Sequence, residues 1–224
     1  MKKTKFIFLV LIVILFNSCI GLKIDIQMNR DGSGKLLMEY RISRTFENIG
    51  NFEGNEKWPV IPIGRADWER TIDRIDGAKL SSFLTSQRGP DSITSITIDY
   101  DNPQALLAIL DPNKEKAQIN LDNRSGQFSY IINEERSQNP YNFNDLDLNE
   151  NLMDLARTMF TDYKFSISFT APQAPTLLIT DGNGSEITKP TAAEVAVSGR
   201  RASMTIGIID AVELSDGLGI QISW

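Results

Sequence analysis

The sequence predicts an α+β fold in which a mainly antiparallel sheet of about nine to eleven strands carries about three helices packed on one side. Apolar and polar residues alternate in many short segments, and this is the period of a half-buried strand. Turns rich in glycine, asparagine and aspartate join many of these segments as hairpins, so that neighbouring strands run in opposite directions. Only three segments have apolar residues at helical spacing, too few for a fold built from parallel crossovers.

The first segment after the N-terminal region carries a strong hairpin signal. Apolar residues occupy every second position from Leu22 to Met28 and again from Leu36 to Ile42. Between these runs, residues 31–34 read Asp-Gly-Ser-Gly, and an Asp-Gly pair between two alternating runs is typical of a tight turn. This pattern predicts two antiparallel strands joined by that turn.

Three segments have their apolar residues on one face of a helix. The first helix is predicted from about 66 to 76. The second is predicted from the Asn102-Pro103 pair, as N-cap and first helical residue, through Leu110. The third is predicted over about 148–161.

The other alternating or apolar segments predict strands at about 78–86, 93–100, 117–121, 127–133, 163–169, 177–179, 194–198, 203–209 and 218–224. Segments 44–64 and 134–145 are polar and irregular, which predicts long loops of the kind that often carry binding functions. No low-complexity linker divides the chain, so we expect a single domain over residues 22–224.

The N-terminus has the features of a bacterial export signal. Three lysines precede an unbroken apolar run of 11 residues from Phe6 to Phe16, and Cys19, the only cysteine, follows. This resembles a bacterial lipoprotein signal of the looser kind found in spirochaetes and Bacteroidetes, in which residues 1–18 are removed as signal peptide and Cys19 is lipidated. The alternatives are ordinary secretion or an uncleaved anchor, although a spanning helix needs about 20 apolar residues.

Lipidation of Cys19 would hold the protein on a membrane of the cell envelope, because two or three acyl chains anchor a protein stably. Residues 19–21 then form the lipidated cysteine and a short tether. The extracytoplasmic domain, residues 22–224, would begin on the order of 10 Å from the lipid. Ile20 stands where the inner-membrane retention signal of enteric bacteria has aspartate, so we expect the outer membrane or the cell surface.

Charge and composition exclude several classes of function. The net charge is −6, and it becomes about −9 when residues 1–18, which hold three lysines and no acid, are removed. An acidic chain without a basic patch is not expected to bind nucleic acid. Histidine is absent and the single cysteine is assigned to the lipid, which removes the usual zinc sites and the histidine-activated nucleophiles. We therefore expect no enzyme, no cofactor, no metal site and no catalytic residue.

Two turns carry oxygen ligands in an order that partly matches a calcium loop. The segment that begins at Asp181 has Glu186 at its sixth position and Ala192 at its twelfth, where an EF-hand loop needs glycine and glutamate. The segment that begins at Asp31 has Lys35 at its fifth position. We interpret both as ordinary hairpin turns.

The order of features resembles the LppM-like domain of bacterial lipoproteins. The similar features are the segments 24–28, 31–34, 36–42 and 165–169, Pro172, and the Asn183-Gly184 turn. The resemblance covers most of residues 22–224, but this chain lacks the tryptophan often found after that last turn and has no C-terminal spanning helix. It implies a lipid- or glycolipid-binding fold at the cell envelope, with no catalytic residues to carry over.

We therefore expect a non-catalytic, membrane-anchored envelope lipoprotein that binds a lipid or another hydrophobic ligand at the membrane surface, through residues that the sequence does not identify. The alternative is an interaction protein or scaffold subunit, whose envelope partner covers a sheet edge or the 44–64 loop. A connected cavity behind the helices favours the ligand, and a tight core with an exposed patch at Trp58, Val60 and Ile61 favours the partner. A hydrolase with two carboxylates would need a cleft where two acids converge.

Overall fold

The computed structural model describes residues 20–43, 64–89, 91–122, 125–133, 163–214 and 216–224, and eleven strands in two sheets run through them. The strands are β1 (Ile20–Met28), β2 (Gly34–Ser43), β3 (Ala78–Arg88), β4 (Asp91–Tyr100), β5 (Ala117–Leu121), β6 (Gly126–Asn133), β7 (Lys164–Thr170), β8 (Thr176–Thr180), β9 (Glu194–Ser198), β10 (Arg201–Gly207) and β11 (Leu218–Ser223). The helices in the same residues are α1 (Arg65–Ile72), α2 (Pro103–Leu110) and α3 (Ile208–Glu213).

The first sheet has seven strands in the order β3-β4-β2-β1-β7-β10-β9. β1 and β2 form the predicted antiparallel hairpin, with Ile24 opposite Met38. β1 and β7 pair in parallel, with Ile24 opposite Ile167, and the remaining neighbours are antiparallel. β1 therefore lies in the middle of the sheet, with three strands on either side.

The second sheet has four antiparallel strands in the order β5-β6-β11-β8. Trp224 extends the pairing of β11 with β6 by one residue, because its backbone exchanges two hydrogen bonds of 2.9 and 3.0 Å with Gly126. Phe128, Ile220 and Ile222 are buried on one face of this sheet. That face is turned toward the first sheet.

The two sheets pack against each other, and their facing residues belong to one hydrophobic core. Phe169 of β7 stacks on Phe128 and on Trp224 of the second sheet, with 5.1 Å between the ring centroids in each pair. The alternation of the sequence produces this arrangement, since every second residue of the central strands points inward. These inward residues include Ile24, Ile26, Met28, Phe165, Ile167, Phe169, Ala202, Met204 and Ile206.

The helices pack at the margins of the strands. α2 begins as predicted, with the Asn102 side chain accepting a hydrogen bond from the N–H of Ala105 at 2.9 Å and proline as its first residue. α1 buries Trp68 and Ile72, and the indole N–H of Trp68 donates to the hydroxyl of Tyr40 at 3.4 Å. This contact joins α1 to β2.

The predicted class is confirmed, since the described residues contain eleven mainly antiparallel strands and three short helices. These strands form two packed sheets, whereas one sheet was predicted. Within the described residues, β5, β6, β8 and β11 pair only with one another. The third described helix is α3, whose first two residues fall in the segment 203–209 that was predicted to be wholly strand. The helix predicted at 148–161 lies outside the described residues.

β1 begins at Ile20, two residues before the predicted start of the domain. Ile20 lies opposite Ile42, and Gly21 lies opposite Arg41. Residues 20 and 21, which were predicted to be tether, therefore belong to the sheet. Cys19 itself lies outside the described residues, and the sheet begins at the next position.

Candidate functional site

One end of the sandwich gathers several polar turns, and we call it the Asp31 end. It consists of the β1–β2 turn, the described residues that flank the β5–β6 turn (Asp122 and Ser125), the segment between β4 and α2, and the link between β7 and β8. β1 begins at the opposite end, and its nine residues span about 30 Å at the rise of a β-strand. The Asp31 end therefore lies about 30 Å from Ile20.

Hydrogen bonds hold the β1–β2 turn in one conformation. The Asp31 carboxylate accepts from the N–H of Ser33 at 3.0 Å and from its hydroxyl at 2.7 Å, and these bonds lower the pKa of Asp31. The side-chain amide of Asn29 donates to the Ser33 hydroxyl oxygen at 3.1 Å. Gly32 has a φ of 83°, a conformation that favours glycine. The turn thus presents Asn29 from a fixed position.

Two open clefts flank this turn. The larger, the Trp224 cleft, has a volume of about 370 Å³, and its lining includes Asn29, Arg30, Leu121, Asp122, Gln173 and Trp224. The smaller, the Tyr100 cleft, has a volume of about 260 Å³, and its lining includes Asn29, Ser33, Lys35, Asp99, Tyr100 and Asp101. Asn29 lines both clefts, because it lies in the turn between them.

The Trp224 cleft has a fixed aromatic residue in its wall. A Cβ atom at position 126 would lie 2.5 Å from Cε2 of Trp224, so Gly126 leaves the space that the indole occupies. The indole also stacks on Phe169 in the core. The position of Trp224 is therefore set by the backbone of β6 and by the packing between the sheets.

The Tyr100 cleft is lined by groups that are hydrogen-bonded to one another. The hydroxyl of Tyr100 donates to the carbonyl oxygen of Gln27 at 2.9 Å, and burial raises the pKa of Tyr100. Asp99 forms an ion pair with Lys35 and accepts from the hydroxyl of Ser81. The hydrogen bond from Lys35, followed by that from Ser81, lowers the pKa of Asp99.

We expect replacement of Asp99 by asparagine to destabilise the protein slightly at neutral pH and not at all in strong acid. The pKa of Asp99 in the folded protein lies below the ordinary aspartate value of 3.8, so its stabilising effect is present above that value and is lost as the pH falls through the folded-state pKa. The pair is exposed, so the loss at about pH 6 should stay below about 1 kcal/mol. Urea unfolding between about pH 6 and pH 2 measures the difference. This account would be contradicted if the difference in the free energy of unfolding between the variant and the wild type grew as the pH fell.

Asp99 and Asp101 both line the Tyr100 cleft, and a hydrolase of the kind considered above would need two acids in one cleft. A glycosidase requires one carboxylic acid whose pKa is raised, so that it can donate a proton. Lys35 and Ser81 instead lower the pKa of Asp99, because their hydrogen bonds favour its ionised form. Asp99 is therefore poorly suited to the role of the proton donor.

A buried ion pair lies near the end where β1 begins. Asp91 is only 1% exposed, and its two oxygens engage the guanidinium of Arg41 and the hydroxyl of Tyr163, the latter at 3.0 Å. The Arg41 guanidinium also lies 5.1 Å from the centroid of the Tyr163 ring. This cluster joins β2, β4 and the residue before β7, so we assign it to stability.

A further polar contact lies on the face of the seven-stranded sheet that is turned away from the core. Arg201 donates from Nη2 to Asp25 at 2.6 Å and to the hydroxyl oxygen of Ser168 at 2.8 Å. The other carboxylate oxygen of Asp25 is buried, and within the described part of the chain it accepts no hydrogen bond. The contact links β10, β7 and β1 across the sheet.

β3 forms one edge of the seven-stranded sheet. A bulge lies between Leu80 and Ser82, and the strand then continues to Arg88. All positions from 84 to 88 are exposed, and Leu84 is 66% exposed. Among the described strands, only β4 pairs with β3, so no described strand lies on its outer side. Arg65 of α1 donates to the carbonyl oxygen of Phe83 at 3.2 Å, and the open edge is therefore the part of β3 from Leu84 to Arg88.

The residues singled out from the sequence fall in different places. Cys19 and the patch at 58–61 lie outside the described residues. The turn that begins at Asp181 is a hairpin-like turn, in which this carboxylate accepts from the N–H groups of Asn183 and Ser185, each at 2.8 Å. That Asn29 lines two clefts was not predicted, because each turn was recognised singly and nothing in the spacing of the turns shows that they share one end.

No helix in the described ranges has the length and apolar character needed to cross a membrane. The same ranges contain no group of three or more acidic, histidine or cysteine side chains placed to hold a metal ion. Comparison of the chain with family models, curated proteins and solved structures found no match. The lipoprotein signal and the LppM-like resemblance therefore stay predictions.

Proposed function

We propose that this protein is a non-catalytic lipoprotein of the cell envelope, anchored through Cys19, which works as an interaction protein by accepting an extended segment of a partner protein at the edge of β3. The observation that carries the proposal is the open edge of this strand. Positions 84–88 are exposed in succession, and their outer backbone groups have no strand beside them in the described part of the chain. An added strand would form a ladder of main-chain hydrogen bonds there.

The composition of this edge supports the proposal. Edge strands that must stay free are usually blocked by proline, by central lysines or by bulges. Here the bulge lies near the start of β3, between Leu80 and Ser82, and the residues from Phe83 to Gln87 carry no charge and no proline. Leu84 offers an apolar side chain to an incoming strand.

The interior gives less support to a hydrophobic ligand. Apolar ligands are usually held in concave sites that bury most of their surface. The two best-formed clefts among the described residues are open and lined by many polar side chains, and neither is lined by the apolar faces of α1 or α2. The inner residues of both sheets and of these helices instead pack into one core. Of the two functions expected from the sequence, we therefore favour the interaction protein.

We expect Leu84→Lys to abolish the partner complex while leaving the fold intact. The lysine would place an exposed positive charge in the middle of the open edge, where it disfavours strand addition. The wild-type and variant proteins are extracted from native cells with a mild detergent, and their complexes are sized by native electrophoresis. Val197→Lys is the matched control, because Val197 is 49% exposed on β9, the opposite edge of the same sheet.

The proposal is supported when the wild type and Val197→Lys migrate as the same larger complex and Leu84→Lys migrates as a monomer. It is wrong if the wild type is itself monomeric, or if both lysine variants retain the complex. Replacement of Cys19 by serine tests the anchor separately, because the protein should then leave the membrane fraction.

A further inference from the structure

We propose that the extended segment accepted by β3 is acidic, and that a carboxylate side chain of this segment meets Arg88 at the end of the open edge. Recognition of an acidic segment rests on the proposed function, since it takes place at the same edge. It adds to that function the charge of the partner segment and the position at which the charge is recognised.

Arg88 carries a charge that the described part of the protein leaves available. It is the last residue of β3 and is exposed, and within the described ranges its guanidinium makes no ion pair or hydrogen bond. Its neighbour across the strand pair is Asp91, which is 1% exposed. One oxygen of Asp91 is engaged by Arg41 and the other by the hydroxyl of Tyr163. Arg41 therefore balances the charge of Asp91, and Arg88 is left for a partner.

The described residues around Arg88 supply no second acid. Along the outer face of the described sheet, the acidic side chain that follows Asp91 is Glu39 on β2, two strands or about 10 Å away from β3. Glu39 accepts a hydrogen bond from Ser95 at 3.3 Å and lies opposite Lys23. The described side chains at this end of the edge are therefore positively charged on balance, although the net charge of the protein is −6.

The pleat of β3 fixes the position of the acid within the partner segment. Phe83 lies opposite the buried Ile96, so Phe83 faces inward, and Leu84, Ser86 and Arg88 face outward because successive side chains alternate. An added strand would place three alternate side chains beside these residues. We therefore expect an apolar residue beside Leu84 and an acidic residue beside Arg88, four positions apart, whichever way the segment runs.

The charge would serve to select the partner. The ladder of main-chain hydrogen bonds is the same for any extended segment, so the preference for one sequence must come from the side chains. Arg88 is the only charged residue at positions 84–88. A lysine beside it would be destabilising, whereas opposite charges on neighbouring strands are favourable. Complementary charges of this kind contribute mainly to specificity.

Synthetic peptides test this preference on the full lipidated protein in a nonionic detergent. The peptides have blocked ends, with valine and glutamate four positions apart and threonine or serine elsewhere. Both orders of valine and glutamate are used, so that either strand direction can form. In the matched peptides, lysine replaces glutamate. Binding is measured by fluorescence anisotropy with an uncharged label at low ionic strength, where exposed charges are screened least.

We expect the wild type to bind the glutamate peptide about fivefold more tightly than the lysine peptide, as is reasonable for one exposed ion pair. Arg88→Glu should reverse this order. Arg88→Gln adds no negative charge beside Asp91 and should bind the two peptides equally. Arg200→Glu is the matched control, because Arg200 is an exposed arginine in the turn between β9 and β10, at the opposite edge of the sheet. It should leave the preference unchanged.

Recognition of an acidic segment is overturned if the wild type binds neither peptide or binds both equally. It is also overturned if Arg200→Glu changes the preference as much as Arg88→Glu does. The complexes extracted from native cells separate this result from the proposed function. If Leu84→Lys loses the complex and Arg88→Glu retains it, only the preference for acid is wrong. If Leu84→Lys retains the complex, the proposed function is itself wrong.

Discussion

Replacing Phe169 with alanine is expected to lower the free energy of unfolding by about 3–5 kcal/mol. Phe169 is fully buried on β7, and its ring stacks on Phe128 and on Trp224 with centroid distances of 5.1 Å. Alanine would leave a cavity between the two sheets and remove both aromatic contacts. Both contacts join the two sheets, so the substitution weakens the packing between them.

Urea unfolding monitored by circular dichroism measures this loss on the purified protein. Val197→Ala is the control, since its side chain is 49% exposed on β9 and its removal should change the free energy of unfolding by less than about 0.5 kcal/mol. The packing of the two sheets described above would be wrong if Phe169→Ala and Val197→Ala had equal effects.

Replacing Asp91 with alanine is expected to lower the free energy of unfolding by about 3 kcal/mol. Asp91 is 1% exposed, and its carboxylate is the partner of Arg41 and of the Tyr163 hydroxyl. Without it, a partly buried guanidinium and a buried hydroxyl lose their acceptor, and such groups are unfavourable when unpaired. The three chain segments that they join would then be held less firmly.

An exposed ion pair provides the comparison for Asp91. Asp67 pairs with Arg70 on the surface of α1, and Asp67→Ala should lower the free energy of unfolding by less than about 1 kcal/mol. The double variant Asp91→Leu with Arg41→Met should recover part of the loss, because neither charge is then left unpaired. If Asp91→Ala were no more destabilising than Asp67→Ala, the cluster would not have the stabilising role assigned to it.

Variants of the core and of the proposed edge can be distinguished by their readouts. Phe169 and Asp91 should change the free energy of unfolding, whereas Leu84 is exposed and should change binding alone. A substitution at an exposed position usually alters stability by less than about 0.5 kcal/mol. If an exposed variant loses binding but has the free energy of unfolding of the wild type, the substituted residue therefore belongs to the binding surface.

Local signals explain most of what could be predicted about the fold. The β1–β2 hairpin follows from two alternating runs around residues 31–34, and the start of α2 follows from Asn102 and Pro103. Each of these depends on residues that are close in the chain, and backbone sterics and side-chain caps act over that range. The start of β1 was predicted two residues late. The alternation continues to Ile20, but Gly21 is a weak strand former and both residues were assigned to the tether.

The sequence by itself determined the class of the fold, the turns and which side chains of each strand face inward. Only the tertiary structure decided that the strands form two sheets and that the β1–β2 turn lies beside the link between β7 and β8 at the Asp31 end. The physical reason is that alternation identifies a buried face but not the partner that covers it, as with Asp91 and Tyr163, which are 72 residues apart. The candidate sites consist of residues that are distant in the chain and close in the fold, so the sequence alone did not predict them.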